Sequence, residues 1–353
     1  MQLVVKWRSI WFSNSGRRLV WIALLCLVVS GCALPGQRGS SPTQPAGPAV
    51  IAAPAQLAAY HVFVTDLLTG NVASLGAQTT HVSLSVHGLG LSRDGHWLFV
   101  TDVAGGKLVA YHLNGSQLGA SHRVTVGGYP VHMAQAPDGH VFVTNFGGAD
   151  VSVVDTTAWR VERTIEVPAG PHGIALSPDG RYAYVACYKS ATVAIISTIT
   201  ETLAGAIALP AGTEPYGVVT SADGRYLYVT ANGRSSVYVL DAQTRRIVTD
   251  VQVGLRPQLI ARSPDGKTLY VPSGSGHSLT FLDIGADAAH PIARGSTLIN
   301  GYPHGVAVTP DGRYVIVADT TGKTVSVVDA RTMALVATIS GMQEPNDALA
   351  TMG

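Results

Sequence analysis

Sulfur-bearing and acidic side chains are scarce in this sequence. Of its 353 residues only three are cysteine, too few for the disulfide framework of a small secreted fold. Glutamate occurs only at Glu162, Glu166, Glu201, Glu214 and Glu344, and no pair of carboxylates stands out for acid–base work. Charged residues make up 13% of the chain, about half the usual share of a soluble domain. Lys+Arg 23 against Asp+Glu 22 leaves a net charge of +1, which argues against a nucleic-acid binder. The apolar run from Leu19 to Val29 falls short of the ~20 residues that cross a bilayer. Gly-x-Ser-x-Gly, P-loop and Rossmann fingerprints are missing. So is Cys-x-x-Cys-His, which excludes covalent c-type haem. What is abundant is glycine (39), proline (19) and hydrophobic residues (46%), a mixture suited to many short strands joined by tight turns.

Residues 1–18 carry Lys6, Arg8, Arg17 and Arg18 and no acid, and the apolar run then leads to Ser30, Gly31 and Cys32. A basic stretch followed by a short apolar one predicts an export signal over residues 1–31 that is removed. Val29-Ser30-Gly31-Cys32 resembles a bacterial lipobox, which implies lipidation at Cys32. Removal takes away four of the 23 basic residues and no acid, so 19 basic residues face 22 acidic ones, a net of −3. Cys26 leaves with the signal, and Cys187 is then without a disulfide partner. Residues 32–48 hold Pro35, Pro42, Pro45 and Pro48 among Gly, Ser and Gln and read as a flexible tether from the lipid. The expected setting is the bacterial outer membrane, facing the periplasm. The expected partners are the membrane through its lipid, and an envelope protein or small ligand, but not nucleic acid.

From residue 49 onward the chain repeats itself. Asp-Gly pairs recur at Asp94-Gly95, Asp138-Gly139, Asp179-Gly180, Asp223-Gly224, Asp265-Gly266 and Asp311-Gly312, with glycine spacings of 44, 41, 44, 42 and 46. Each sits between a short apolar segment and an alternating one, as in Ile174-Ala175-Leu176 before and Tyr182-Ala183-Tyr184-Val185 after. That is a hairpin signal, and it makes these aspartates turn formers. A Val-x-Val-x-Asp type of segment appears seven times, at Val62–Asp66, Leu108–Asn114, Val151–Asp155, Val193–Ser197, Val237–Asp241, Leu279–Asp283 and Val325–Asp329. Val62–Asp66 and Asn71–Leu75 have no Asp-Gly before them and match Val325–Asp329 and Ala334–Ile339. The N-terminal strands and a C-terminal strand at 345–351 are therefore expected to complete one unit. About 42 residues and four strands per repeat predict an all-β, seven-bladed β-propeller of four-stranded blades over residues 49–353.

The repeat resembles the YVTN-type propeller family, on Pro171-His172-Gly173 through Arg181, Pro303-His304-Gly305 through Arg313, and Phe142-Val143-Thr144-Asn145. The resemblance covers residues 50–353. It implies fold more than activity, since these are turn and core residues on a scaffold that serves many functions.

If the blades run as in related propellers, one face collects the segment ahead of each Asp-Gly and the end of the strand after it. The first set is His87, Val131, His172, Tyr216, Gln258, His304 and Asn346, with His132 one position off. The second is Asp102, Asn145, Cys187, Ala231, Ser273 and Asp319. His87, His172 and His304 are the candidate metal ligands, since imidazole is the commonest metal ligand. His132, Cys187, Tyr216 and Asp319 are further candidates for ligand binding. Such a set suits copper, zinc or a non-covalent haem, and the propellers of nitrous oxide reductase and of nitrite reductase haem domains are similar in placing histidines there. The alternative is a turn histidine bonded to a neighbouring carbonyl. Tyr129, Tyr302 and Arg256 could bind a polar ligand or simply form the rim. Three functions follow: a binding or scaffold module, a metal- or haem-handling protein or oxidoreductase component, and a lactonase-like hydrolase.

Overall fold

The computed structural model describes residues 50–353. The expected export signal over residues 1–31, Cys32 and the expected tether up to residue 48 lie outside the described residues. The described residues form seven four-stranded antiparallel sheets and one short 3₁₀ turn, Ala55–Leu57. None of their helices is long and apolar enough to cross a membrane.

Each blade runs outward from its innermost strand. In blade 3 the order is Pro171–Leu176, Tyr182–Cys187, Thr192–Ser197 and Thr202–Ala208. Alternation explains the two faces of such a sheet: Val185 and Ala183 pack toward blade 2, while Tyr184 and Ala186 pack toward blade 4. The Asp-Gly turn joins the first two strands. Gly180 takes φ 71° there, a conformation open to glycine at little cost. The Ser177 hydroxyl donates to Asp179 at 2.5 Å and accepts from the Tyr182 N–H at 3.0 Å. The same bonds recur at Ser92/Asp94, Ser221/Asp223 and Ser263/Asp265.

The ring closes as expected. Pro345–Met352 is the innermost strand of blade 7 and pairs with Tyr60–Asp66, from Tyr60↔Met352 to Asp66↔Pro345. Asp66 holds the joint, its carboxylate accepting from the Gln343 and Glu344 N–H groups at 2.7 and 3.2 Å. One strand identity is corrected. Val62–Asp66 is the second strand of its blade, not the third, because Val-Phe-Val-Thr-Asp repeats the second-strand sequence Leu-Phe-Val-Thr-Asp at 98–102. Asn71–Ser74 is then third, and a two-residue Thr80–His81 is fourth.

Neighbouring blades are tied near the channel by threonine. Thr144 of blade 2 accepts from the His132 N–H at 3.2 Å and donates to the His172 carbonyl of blade 3 at 2.7 Å. Thr65, Thr101 and Thr230 make the same link to the carbonyls of His87, Val131 and Gln258, at 2.6, 2.9 and 2.6 Å. Blade 5 carries Pro272 at this place, and its innermost strand shrinks to Ala261–Arg262 with an isolated Pro257↔Ser273 bridge. Proline has no N–H for the ladder, which accounts for the gap.

Candidate functional site

The innermost strands begin with a register shift, as between Pro171 and Ile174 or Pro130 and Met133. The shift frees two consecutive residues from regular pairing in blades 1 to 4 and 7, and only His304 in blade 6, where Gly305 pairs with Ala318; the same two places can be followed around the ring. The first is His87, Val131, His172, Tyr216, Gln258, His304 or Asn346. The second is Gly88, His132, Gly173, Gly217, Leu259, Gly305 or Asp347. Glycine at the second place lets blades approach: a Cβ on Gly88 would lie 2.1 Å from the Val131 carbonyl and 3.0 Å from His132 Nδ1.

Four histidines meet here. The His87 ring stands edge-on to His132, His172 and His304, with centroids 5.0, 5.6 and 5.7 Å away, and His132 and His172 are 5.0 Å apart. One ring nitrogen each from His87, His132 and His172 lies within 4.8 Å of the others. His132 therefore joins the cluster although it sits one place late in the repeat. His304 is committed elsewhere: Nδ1 donates to the Asn346 carbonyl at 2.9 Å, so Nε2 accepts from the Tyr216 hydroxyl at 2.8 Å. The turn-histidine alternative thus describes part of what is seen, since His172 Nδ1 also faces a carbonyl, that of Tyr216, at 3.3 Å. His87 Nδ1 and His132 Nε2 are buried without any hydrogen-bond partner. An orphaned buried polar atom costs about 1–3 kcal/mol, so this arrangement favours a ligand that satisfies both.

Burial decides the charge state. Desolvation, reinforced by the neighbouring imidazoles, holds His87 and His172 well below the usual histidine range and lowers His132 to about 3; at His304 it lowers the ring to about 4 against the pull of the Asn346 carbonyl. All four are neutral at pH 7. Burial also pushes the Tyr216 hydroxyl up, so it remains a donor.

Asp347, which sequence reasoning missed, lies beside the histidine cluster. Its Oδ2 lies 3.8 Å from His132 Nδ1 and accepts from the Leu89 N–H at 3.0 Å, while Oδ1 accepts from the Ala348 N–H at 2.9 Å. Burial raises its carboxyl to about 7, against the pull of those two N–H groups. The available signal was an acid at a place where four other blades have glycine.

Cys187 and Asp319 do not join the cluster. Cys187 packs in an apolar core with Phe142, Val153 and Val185, and burial raises its thiol to about 12. Asp319 Oδ1 accepts from the Tyr302 and Gly322 N–H groups at 2.6 and 3.1 Å, an anchoring task shared with Asp66 and Asn145. Around the histidines stands an aromatic and polar rim. Phe146 meets His172 edge-on at 5.7 Å, Lys189 lies 4.5 Å over Phe146, and Tyr188 donates to Glu214 at 2.9 Å. Arg256 donates to Glu214 and Asn232 at 3.0 and 2.7 Å, and Gln258 reaches the Tyr302 hydroxyl at 2.9 Å. Tyr129 is 46% exposed beside Phe146. A cleft of about 700 Å³ between the Asp-Gly turns of blades 3 and 4 is lined by Tyr182, Tyr184, Asp223 and Arg225. A smaller one recurs between blades 5 and 6 around Asp265 and Asp311, so these clefts belong to the repeat.

A family described as a lactonase, seven-bladed β-propeller, matches residues 61–347. Antigen Lp49 of Leptospira interrogans is 27% identical over 197 residues, which are 51% of this chain and 42% of that protein's length, less than half of the relative. Among solved structures, hydrazine synthase of Kuenenia stuttgartiensis superposes with a TM-score of 0.65 at 22% identity, covering 76% of this chain and 91% of that one. The periplasmic gluconolactonase PpgL of Pseudomonas aeruginosa gives 0.71 at 19% identity, covering 82% and 98%. At these identities the two structures share the fold.

Proposed function

Since the chain belongs to the lactonase seven-bladed β-propeller family, we propose that it is a lipoprotein with YVTN-type repeats, anchored in the bacterial envelope through Cys32, that binds a small polyhydroxylated ligand at its channel mouth. One observation carries this reading. The repeats are interchangeable at one end and individual at the other. Four blades make the same serine-to-aspartate turn. At the mouth the equivalent places hold His, Val, Tyr, Gln and Asn, and a uniform structural task would not need that variety. Tyr188, Glu214, Asn232, Arg256 and Tyr302 offer donors and acceptors to hydroxyl and carboxyl groups, and exposed Tyr129 offers a face for the apolar side of a sugar ring.

The family's description favours a second reading, in which the bound ligand is a sugar lactone and its ring ester is hydrolysed. Isothermal titration with gluconate and a pH-stat assay with glucono-δ-lactone test the pair together. Gluconate binding weakened about tenfold by Arg256→Ala supports the binding role, and lactone turnover sensitive to the same change supports hydrolysis. Absence of both binding and turnover in the unmutated protein overturns the proposal.

A further inference from the structure

We infer that His87, His132 and His172 hold a divalent transition-metal ion of the zinc–copper class in the channel, with Asp347 positioning His132. The inference goes beyond the sugar-ligand reading and does not depend on it.

The rings are arranged as ligands are. Two of the three have one nitrogen turned to an outer partner: His132 Nδ1 faces Asp347 Oδ2 at 3.8 Å, and His172 Nδ1 faces the Tyr216 carbonyl at 3.3 Å. An outer carboxylate or carbonyl fixes the tautomer and aims the other nitrogen at the metal. His87 Nδ1 and His132 Nε2 are buried and unpartnered. Metal–nitrogen bonds of about 2.0–2.1 Å place tetrahedral ligand nitrogens about 3.3 Å apart. One ring nitrogen from each of the three already lies within 4.8 Å of the others, so the rings need to close by little more than an ångström to reach that spacing.

The donor set selects the ion. Calcium and magnesium need several oxygens, whereas both Asp347 oxygens already accept backbone N–H groups. A soft monovalent ion would want thiolate or thioether, and Cys187 lies in the apolar core. Three neutral imidazoles suit a borderline divalent ion. His304 is tied to Tyr216 and Asn346, which leaves the fourth coordination position to water or an added ligand. The other group of this kind among the described residues, His140, Glu162 and Glu201, is only half-buried and has Glu201 bound to Arg163 at 3.1 Å. It serves as the control.

The test uses the chain from residue 32 onward, purified without a polyhistidine tag or chelator. Elemental analysis should find one zinc or copper per chain, and Co(II) titrated into chelator-treated protein should give tetrahedral d–d bands at one equivalent. His132→Ala and His172→Ala should each weaken metal binding at least tenfold, while His140→Ala leaves it unchanged. Asp347→Asn should weaken binding about 10–100-fold and shift the Co(II) bands, a change that a purely structural carboxylate would not cause. Failure of the unmutated protein to bind Zn(II), Cu(II) or Co(II) stoichiometrically overturns the inference without any variant. So does undiminished binding in a folded His87/His132/His172 triple alanine variant. Gluconate binding by metal-free protein tests the rim separately, so either idea can fail alone.

Discussion

Thr144 shows how much one hydroxyl does at the inner edge of the ring. It is fully buried, accepts from its own blade at His132 and donates to the next at His172, so it fixes the backbone of two cluster residues at once. Thr144→Val keeps the shape and removes the link, leaving an N–H and a carbonyl unpaired. We expect a loss of about 1–3 kcal/mol in urea unfolding, and an unchanged midpoint would show the link to be replaceable. Gly88→Ala should cost more, since its Cβ would stand 2.1 Å from a carbonyl oxygen that cannot move alone. Expression as stable as the parent would contradict that geometry. In the sequence Thr144 reads only as part of the Phe-Val-Thr-Asn stretch, because a stitch between blades requires knowing which carbonyl lies across the gap. Asp347 was illegible for a related reason. Its repeat position is a glycine position, and only the curvature of the ring shows that blades 7 and 2 face each other across Gly88 of blade 1.

The hairpins carry their own acid sensitivity. In four turns the hydroxyl of Ser92, Ser177, Ser221 or Ser263 donates to the following aspartate, and this bond, aided by a backbone N–H, lowers each carboxyl below its ordinary value, to about 2 for Asp94. A carboxyl lowered in the folded state binds fewer protons than in the unfolded chain. Its contribution is present above about pH 3.8 and lost as pH falls toward 2. Melting temperature should therefore drop through that window, and Ser177→Ala with Ser221→Ala should flatten the drop. An equal slope in the double variant would remove the turns from the explanation. These turns were the clearest feature of the sequence, because Asp-Gly has a local cause. The strands of the closing blade were harder. Val-Phe-Val-Thr-Asp at 62–66 satisfies the alternation of a second or a third strand equally, and only its pairing with Pro345–Met352 distinguishes them.

Seven four-stranded sheets make up the ring of the described residues, and its closure rests on one strand. Truncation after Met342 removes the partner of Tyr60–Asp66 together with Asn346 and Asp347. The melting temperature should fall by far more than eleven residues would suggest, and a truncated protein that melts like the parent would contradict the closure. Cys32→Ala should release the propeller from the membrane fraction with its unfolding curve unchanged, and full retention in that fraction would count against the lipid anchor. The ring itself was legible from the period of the turns. The meeting of residues 87, 132, 172 and 304 was legible only in part: their equivalence in the repeat could be read, but not which rings would touch. The closing strand also sets an order in time. Residue 347 leaves the ribosome long after residues 87, 132 and 172, so a growing chain has the three imidazoles but lacks the carboxylate beside His132. The pocket therefore waits for the strand that carries residue 347 to pair with Tyr60–Asp66.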